Sequence, residues 1–385
     1  MATPRLRPII SLHIIPALTL FTSATALSTT PSGSSTRRDL SSSAPVKVKV
    51  WDNVIPPGHS LAALHTFAAA SGLGHKCFTR RPLLPNTNGN GNNIIERTID
   101  AVLTEIERSG SNHDATTSTN QCYVEYWTRM EWRHIEAHAD VDENLSKQFD
   151  QQKHDDRDLQ STYPTTYQQE YGHRYPSFGH VLYLQVGTNV KGPTCIFPGR
   201  SSGGDLVRSM HDGDGEKEEV PLCIVPAVAG RLLRFDGRDI HAVPRPTDIW
   251  MLPFVQGAAQ YEPEEIWGRS VVLFNVWPVG EHPPLDVPLD SSGEDQEGIQ
   301  TIDESFCNSF SDWKEATITP KVSSSSASES ESNQSVKVWL LGNERRRDHP
   351  MRTVSLVAPA DGGRDAVREA LNEESQVSEL LLRRQ

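Results

Sequence analysis

The residues that could do chemistry in this chain are histidines followed two positions later by a carboxylate. Three such pairs occur: His134/Glu136, His138/Asp140 and His154/Asp156. On a β-strand, side chains two positions apart point to the same face, so each pair could offer an imidazole and a carboxylate to one metal ion. Iron(II) oxygenases need a second imidazole as well, and they leave the opposite face of the metal open. That second histidine would come from a later strand.

The surroundings of the three pairs differ. The third pair lies among Gln, Lys, Asp and Arg side chains of residues 151–158, a composition typical of a solvated segment. The first pair shares a strand face with the second but lies deeper in the predicted strand. His138 and Asp140 lie where this strand meets an acidic turn, as the mouth of a site requires. We therefore predict that His138 and Asp140 are metal ligands and keep His134/Glu136 as the alternative pair.

His241 is the candidate for the second imidazole. Residues 230–237 are typical of a strand that runs into a turn, and His241-Ala242-Val243-Pro244 follows. The alternative interpretation is a histidine that caps a loop or packs under a strand end. The upstream His138/Asp140 pair favours the ligand interpretation.

Short strands must position these residues. Apolar segments separated by Gly and Pro indicate an all-β sandwich or barrel rather than alternating strands and helices. We predict strands at 46–50, 123–127, 132–140, 181–186, 195–197, 220–225, 231–235 and 269–277. We predict helices after Pro56-Pro57-Gly58 and at 94–106, ahead of most strands. The fold class is therefore mainly β with flanking helices (α+β).

Composition shifts predict the domain organisation. The segments are a targeting and Ser/Thr-rich stretch (1–45), one domain (46–317) with insertions near 144–172 and 200–219, a Ser/Glu-rich linker (318–335) and a C-terminal part (336–385). The C-terminal part should contain strands at 336–341 and 353–357 and a helix at 365–382, packed on the core.

The first residues have the layout of a secretory signal peptide. Arg5 and Arg7 precede an apolar run (9–21), and Ala24-Thr25-Ala26 offers a cleavage site between small residues. The apolar run is too short and too interrupted for a stable membrane span. We expect entry into the secretory pathway, to the ER lumen or outside the cell. An organellar transit peptide is the alternative.

Charge and cysteine content exclude other classes. The net charge is −13 (37 − 50), and an acidic chain is a poor candidate for nucleic-acid binding, which depends on basic residues that neutralise phosphates. The five cysteines are scattered and form no CxxC pair, so they indicate neither a zinc ribbon nor a disulfide framework. We expect them to be mostly small core residues, with room for one disulfide.

Taken together, the motifs resemble the 2-oxoglutarate/iron(II) dioxygenase superfamily, in particular its prolyl 4-hydroxylase-like branch. The resemblance extends from Trp132 to Trp277 and rests on four motifs in a shared order. These are His138-Ala139-Asp140; His180-Val181-Leu182-Tyr183-Leu184 with Gly192-Pro193-Thr194-Cys195-Ile196-Phe197-Pro198; Pro226, Gly230 and Phe235 with His241-Ala242-Val243-Pro244; and Arg269 to Trp277. Pro193 and Cys195 stand where the family usually has Gly and Thr.

The resemblance implies a double-stranded β-helix (jelly-roll) core with the metal at one open end. It implies Fe(2+) held by His138, Asp140 and His241, with 2-oxoglutarate and dioxygen as co-substrates and ascorbate as an auxiliary reductant. The implied reaction hydroxylates an unactivated C–H bond and releases succinate and carbon dioxide. A protein prolyl residue is the first expectation for the prime substrate, while another side chain or a small molecule remains open.

The family also uses a basic residue on the final core strand to bind the distal carboxylate of 2-oxoglutarate. Arg269 matches it, with Ser270 or a nearby hydroxyl as a helper, because the planar guanidinium fits a carboxylate through two hydrogen bonds. Arg269 lies 28 positions after His241 (269 − 241), farther than is usual in the family, so an insertion must loop out between them. Arg245 is the rival, although the prolines beside it disfavour a regular strand.

Tyr183 has two open interpretations, as a residue that hydrogen-bonds the co-substrate and as a core tyrosine. Two rival functions also stay open. One is a non-catalytic jelly-roll binding module, and the other is a cupin-like metal enzyme that does not use 2-oxoglutarate. An assignment of Arg269 to co-substrate binding separates the second rival from the dioxygenase.

Overall fold

Short strands dominate the computed structural model of this protein. The structure describes residues 48–71, 74–80, 93–109, 121–130, 135–142, 144–145, 174–187, 192–200, 219–244, 269–278, 283–284, 287, 289, 307–321, 335–340, 352–357 and 363–384. The elements are β1 (Lys49–Asp52), α1 (His59–Ala70), β2 (Lys76–Arg80), α2 (Ile94–Arg108), β3 (Cys122–Arg129), β4 (Ile135–His138), β5 (Phe178–Val186), β6 (Thr194–Phe197), β7 (Glu219–Val225), β8 (Leu232–Asp236), β9 (Ile240–Val243), β10 (Arg269–Pro278), β11 (Lys314–Glu315), β12 (Ile318–Pro320), β13 (Ser335–Leu340), β14 (Arg352–Val357), α3 (Gly363–Asn372) and β15 (Val377–Arg384).

The strands form two sheets. The first, sheet A, has the order β11-β1-β8-β5-β10-β3-β2. The second, sheet B, has the order β12-β15-β14-β13-β4-β9-β6-β7. Apolar side chains of sheet A, such as Val181 and Val271, pack against Ile196 and Val225 of sheet B. This two-sheet core with flanking helices confirms the predicted fold class, a β-rich α+β fold with a jelly-roll core.

The opposite face of sheet A carries the two N-terminal helices. Leu64 of α1 and Ile99 of α2 are buried against Leu182, Val272 and Phe274 of the central strands. Side chains that alternate along a strand point to opposite faces, so β5 and β10 contribute one set of residues to this layer and another to the interior between the sheets. Helix α2 begins at a capped residue, since the Asn93 side chain accepts a hydrogen bond from the Glu96 N–H at 3.0 Å.

Sheet B closes on itself through its last strand. β15 pairs antiparallel with β7 as well as with β14, so that β15, β14, β13, β4, β9, β6 and β7 form a ring. Val367 and Ala370 of α3 pack with Leu222 of β7 and Leu380 of β15 on the face of sheet B that is turned away from sheet A. The strands that carry the candidate histidines therefore belong to a ring completed by the C-terminal part.

One predicted element is wrong. The pattern at 365–382 predicts one helix, but α3 ends at Asn372 and the chain continues as strand β15. Leu380 and Leu382 are buried whereas Leu381 is 46% exposed. That alternation has a period of two, which is typical of a strand, and β7 supplies the pairing partner. Apolar spacing within the short segment did not distinguish the two elements.

Several sequence predictions concern residues outside the described ranges. They are the targeting segment 1–45, most of the insertions predicted near 144–172 and 200–219, and the rival residues His134, His154, Asp156 and Arg245. All five cysteines are described and have free thiols. Helices long and apolar enough to cross a bilayer do not occur in the described part of the chain.

Candidate metal and carboxylate site

Strand register brings two of the candidate ligands together. His138 on β4 and His241 on β9 are directly opposite each other in an antiparallel pair. Their ring centroids are 4.4 Å apart, with the planes tilted by 50°. Ala137 and Ala242, the neighbours of these histidines, pack on the outer face of sheet B. By strand alternation, the two imidazoles face the interior between the sheets.

Backbone carbonyls orient both imidazoles. The His138 ring bonds through Nδ1 to the Glu136 carbonyl at 2.7 Å, and the His241 ring bonds through Nδ1 to the Asp239 carbonyl at 3.1 Å. A carbonyl oxygen only accepts hydrogen bonds, so each Nδ1 carries the proton. In the neutral rings, each Nε2 is then left with a lone pair. Metal-binding histidines are commonly held by such a bond on the other ring nitrogen.

Asp140 completes the group just beyond the end of β4. Its carboxylate oxygens lie 3.7 Å from Nε2 of His138 and 3.8 Å from Nε2 of His241. The three side chains are buried, and their donor atoms all lie within 4.8 Å of one another. Two donors that are each about 2.1 Å from one metal can be at most about 4.2 Å apart, and both nitrogen–oxygen distances fit this limit. The donor set suits iron(II).

Asn275 of β10 holds the carboxylate from the facing sheet. Its Nδ2 donates a hydrogen bond to Oδ2 of Asp140 at 3.0 Å, and Asn275 is itself buried. An amide that donates to a metal-binding carboxylate fixes the carboxylate's orientation. No ligand motif of the sequence points to Asn275. The available signal was its even spacing from Arg269, which places both residues on one face of the same strand.

A second polar cluster surrounds Arg269 in the same interior. The Arg269 Nη2 donates a hydrogen bond to Oγ1 of Thr194 at 3.2 Å, and the Tyr183 hydroxyl is 2.7 Å from the same oxygen. The guanidinium carbon lies 5.2 Å from the centre of the Tyr183 ring. The structure thus places Tyr183 beside Arg269. It also adds Thr194, which the sequence analysis had treated only as part of a motif.

The charge of Arg269 is buried without a neutralising carboxylate among the described residues. Arg269 is 5% exposed. Burial lowers the pKa of its guanidinium, although Tyr183 opposes this effect. Burial also raises the pKa of the Tyr183 hydroxyl, which keeps that group neutral and able to donate a hydrogen bond. An arginine remains charged at any physiological pH, so this cluster carries a buried positive charge that would suit an anion.

Ser270 does not belong to this cluster. Its hydroxyl lies 2.8 Å from Nδ1 of His65 on α1. Arg269 faces the interior, and consecutive side chains of a strand alternate between faces, so Ser270 faces the helical layer. Of the two helpers that the sequence leaves open, Ser270 or a nearby hydroxyl, the structure places the Thr194 hydroxyl beside Arg269 and the Ser270 hydroxyl beside His65.

The described residues also define the wall beside His241. The Phe235 ring lies 4.9 Å from the His241 ring. Gly179 lies directly under Phe235, since a Cβ added there would come within 2.5 Å of the Phe235 ring. A residue without a side chain at position 179 therefore lets Phe235 pack closely. Phe235 thus forms an apolar surface against one side of the His241 ring.

Comparison with solved structures finds proteins whose overall similarity to this chain is low. A prolyl-4-hydroxylase from Pseudomonas putida is 12% identical with a TM-score of 0.28, over 57% of this chain and 80% of that chain. HygX from Streptomyces hygroscopicus, with nickel, 2-oxoglutarate and hygromycin B bound, is 13% identical with a TM-score of 0.30, over 62% of this chain and 84% of that chain. HygX with iron bound is 12% identical with a TM-score of 0.27.

Comparison with family models and with curated proteins finds no match.

Proposed function

We propose that this protein is an Fe(2+)/2-oxoglutarate-dependent oxygenase. One observation carries the proposal: the interior between the two sheets contains both a His138/Asp140/His241 group suited to iron(II) and a buried Arg269 without a carboxylate partner in the described part of the chain. The first cluster needs a cation and the second needs an anion. A diacid that chelates iron at one end and meets a guanidinium at the other fulfils both needs.

The side chains of the proposed site have separate tasks. His138, Asp140 and His241 hold Fe(2+), which in this class supplies oxidation of an unactivated C–H bond coupled to conversion of 2-oxoglutarate to succinate and carbon dioxide. Arg269 binds the distal carboxylate of 2-oxoglutarate, with hydroxyl groups of Thr194 and Tyr183 beside it. Such preorganised donors cost no reorganisation when the ligand binds. Ascorbate would serve as an auxiliary reductant.

We further propose a protein prolyl residue as the prime substrate. This choice is supported by the order of motifs shared with the prolyl 4-hydroxylase-like branch. The signal-peptide layout of residues 5–26 adds support, because it would bring the protein to compartments where peptides are modified during secretion.

The test is an anaerobic titration of the full chain with Fe(2+) and 2-oxoglutarate. We expect a weak visible charge-transfer band only when both are present, and slow release of succinate once dioxygen is admitted. A protein that binds iron without the band would favour the cupin-like alternative. Retention of 2-oxoglutarate without succinate release, across a peptide screen, would favour a binding module.

A further inference from the structure

A histidine outside the metal group lies on the same interior face of sheet A. His75 immediately precedes β2, and Cys77, two positions later, packs with Tyr123 and Trp277. The His75 ring stacks on the Trp127 ring, with centroids 4.7 Å apart and planes 17° from parallel. Its side chain is 31% exposed. His75 is therefore fixed in orientation and still accessible to a ligand.

A buried carboxylate fixes the ring from one side. Glu125 on β3 is 1% exposed, and its Oε1 lies 2.6 Å from Nδ1 of His75. The other oxygen, Oε2, accepts a hydrogen bond from the Trp277 indole at 2.9 Å. Burying a carboxylate costs free energy unless partners satisfy it. Both oxygens of Glu125 have such partners, so the carboxylate is already engaged and is not itself a site for a cation.

Register places this pair next to the metal group. Glu125 is directly opposite Asn275 in the β3–β10 pair, and Asn275 donates to the Asp140 carboxylate. Side chains that are opposite each other in an antiparallel pair have Cβ atoms roughly 5 Å apart. β3 lies between β10 and β2 in sheet A, so His75 lies two strands from Asn275, with Glu125 between them.

The hydrogen bond to Glu125 determines what the exposed part of the ring can do. An ionised carboxylate only accepts hydrogen bonds, so Nδ1 of His75 donates to it. In the neutral ring, Nε2 then carries the lone pair and accepts a hydrogen bond. No partner for this nitrogen occurs among the residues that the structure describes. The neutral ring therefore presents one oriented acceptor on its exposed side.

We propose that Nε2 of His75 accepts a hydrogen bond from a backbone N–H of the peptide substrate, so that His75 determines how the peptide lies across the metal site. This inference rests on the proposed function. Glu125 is the positioning residue, because it fixes the ring and its tautomer without touching the substrate. A peptide N–H is a single donor and matches the single fixed acceptor of His75. The rest of the peptide could then extend from His75 toward the proposed metal site.

The test uses two peptides of equal length. One consists of Pro-Ala-Gly repeats, and the other is poly-L-proline, which has no backbone N–H to donate within the chain. Hydroxyproline formation by the full chain loaded with Fe(2+) and 2-oxoglutarate gives kcat and KM for each. His75→Leu, His75→Gln, Glu125→Gln and wild type are compared, and His59→Ala serves as the control because His59 is an exposed histidine at the start of α1.

We expect His75→Leu to raise the KM for the Pro-Ala-Gly peptide roughly tenfold and to leave kcat nearly unchanged, the size of one lost hydrogen bond. The KM for poly-L-proline should change less than about twofold, since there is no N–H to lose. His75→Gln retains a carbonyl acceptor and should recover part of the affinity. Glu125→Gln should give a smaller rise than His75→Leu, because it loosens the ring without removing it.

Folding and function can be separated in the same samples. Succinate release without peptide measures the iron and 2-oxoglutarate site alone, and we expect it to be equal in wild type and the control His59→Ala, while melting curves check the fold of His75→Leu. Equal KM increases for both peptides in His75→Leu would overturn the proposal. It would also be overturned if wild type released succinate but hydroxylated neither peptide, and the oxygenase proposal would then stand. Wild type that neither forms the charge-transfer band nor releases succinate would remove both proposals.

Discussion

The two polar clusters between the sheets have opposite electrostatic needs. The His138/Asp140/His241 group has one carboxylate and two imidazoles that point their Nε2 atoms at it, which suits a cation. The cluster around Arg269 has a guanidinium with two hydroxyl neighbours, which suits an anion. A buried charge without a partner costs several kcal/mol. In the proposed oxygenase, Fe(2+) would complete the first cluster and 2-oxoglutarate the second.

The largest expected effect is the loss of a metal ligand. His241→Ala removes one of two imidazoles, and Asp140→Ala removes the anionic ligand. We expect each to weaken Fe(2+) binding and to lower succinate release by more than about 100-fold, beyond what is typical for residues that only orient ligands. Iron titration and a succinate assay measure both quantities. Loss of comparable size in the exposed control His59→Ala would contradict the assignment.

The second effect sharpens the contrast between the clusters. Arg269→Met should raise the KM for 2-oxoglutarate about 10- to 100-fold, the value of a charged hydrogen bond, and should leave Fe(2+) affinity nearly unchanged. Because the variant removes a buried charge without a described carboxylate partner, its melting temperature without ligands should not fall. Wild type should be stabilised by 2-oxoglutarate and Arg269→Met should not.

Arg269→Lys provides the matched control for that experiment. It keeps the charge but loses the planar fork, so its KM should lie between those of wild type and Arg269→Met. If iron affinity fell as far as co-substrate affinity in both variants, the two clusters would not be separate sites.

A third prediction concerns the residue that connects sheet A to the metal carboxylate. Asn275→Ala leaves the three ligands in place and removes the hydrogen bond to Asp140. We expect roughly tenfold weaker Fe(2+) binding, in line with other residues that orient metal ligands. The KM for 2-oxoglutarate at saturating iron should change less. Equal changes in Fe(2+) affinity and in the KM for 2-oxoglutarate would indicate a general loss of packing, which a lower melting temperature would show.

The smallest expected effect tests the two faces of β10. Ser270→Ala removes the hydroxyl that contacts His65, on the face opposite Arg269. We expect the KM for 2-oxoglutarate to stay within about twofold and the free energy of unfolding to fall by about 1 kcal/mol, the value of one hydrogen bond. A large increase in that KM would show that Ser270 acts on the co-substrate after all.

The sequence was informative where the geometry is local. Two-residue spacing predicts that His138 and Asp140 share a face, and the structure brings both to His241 although β4 ends at His138. The same rule would have excluded Ser270, since adjacent residues cannot both face the interior. Helix and strand remained ambiguous at 365–382 because short apolar segments fit both periods.

Other features of the site depend on register between distant strands. Asn275 meets Asp140 across the two sheets, and Glu125 meets His75 through pairing of β2 with β3. No local spacing connects these residues, so their contacts could not be predicted from one sequence. Thr194 lay inside a recognised motif, but its contact with Arg269 required the facing strands to be placed.

The closure of sheet B has a consequence for biosynthesis. Leu222 and Leu380 are paired across β7 and β15 although they are 158 positions apart (380 − 222). Pairings of such long range form slowly, and unpaired strand edges of partly folded chains are prone to aggregate. During translation β7 is synthesised well before β15, so the edge of β7 that pairs with β15 stays unpaired until β15 has been made. Yield of folded protein in a cell should therefore depend on chaperones that shield this edge, and heterologous expression should improve at low temperature.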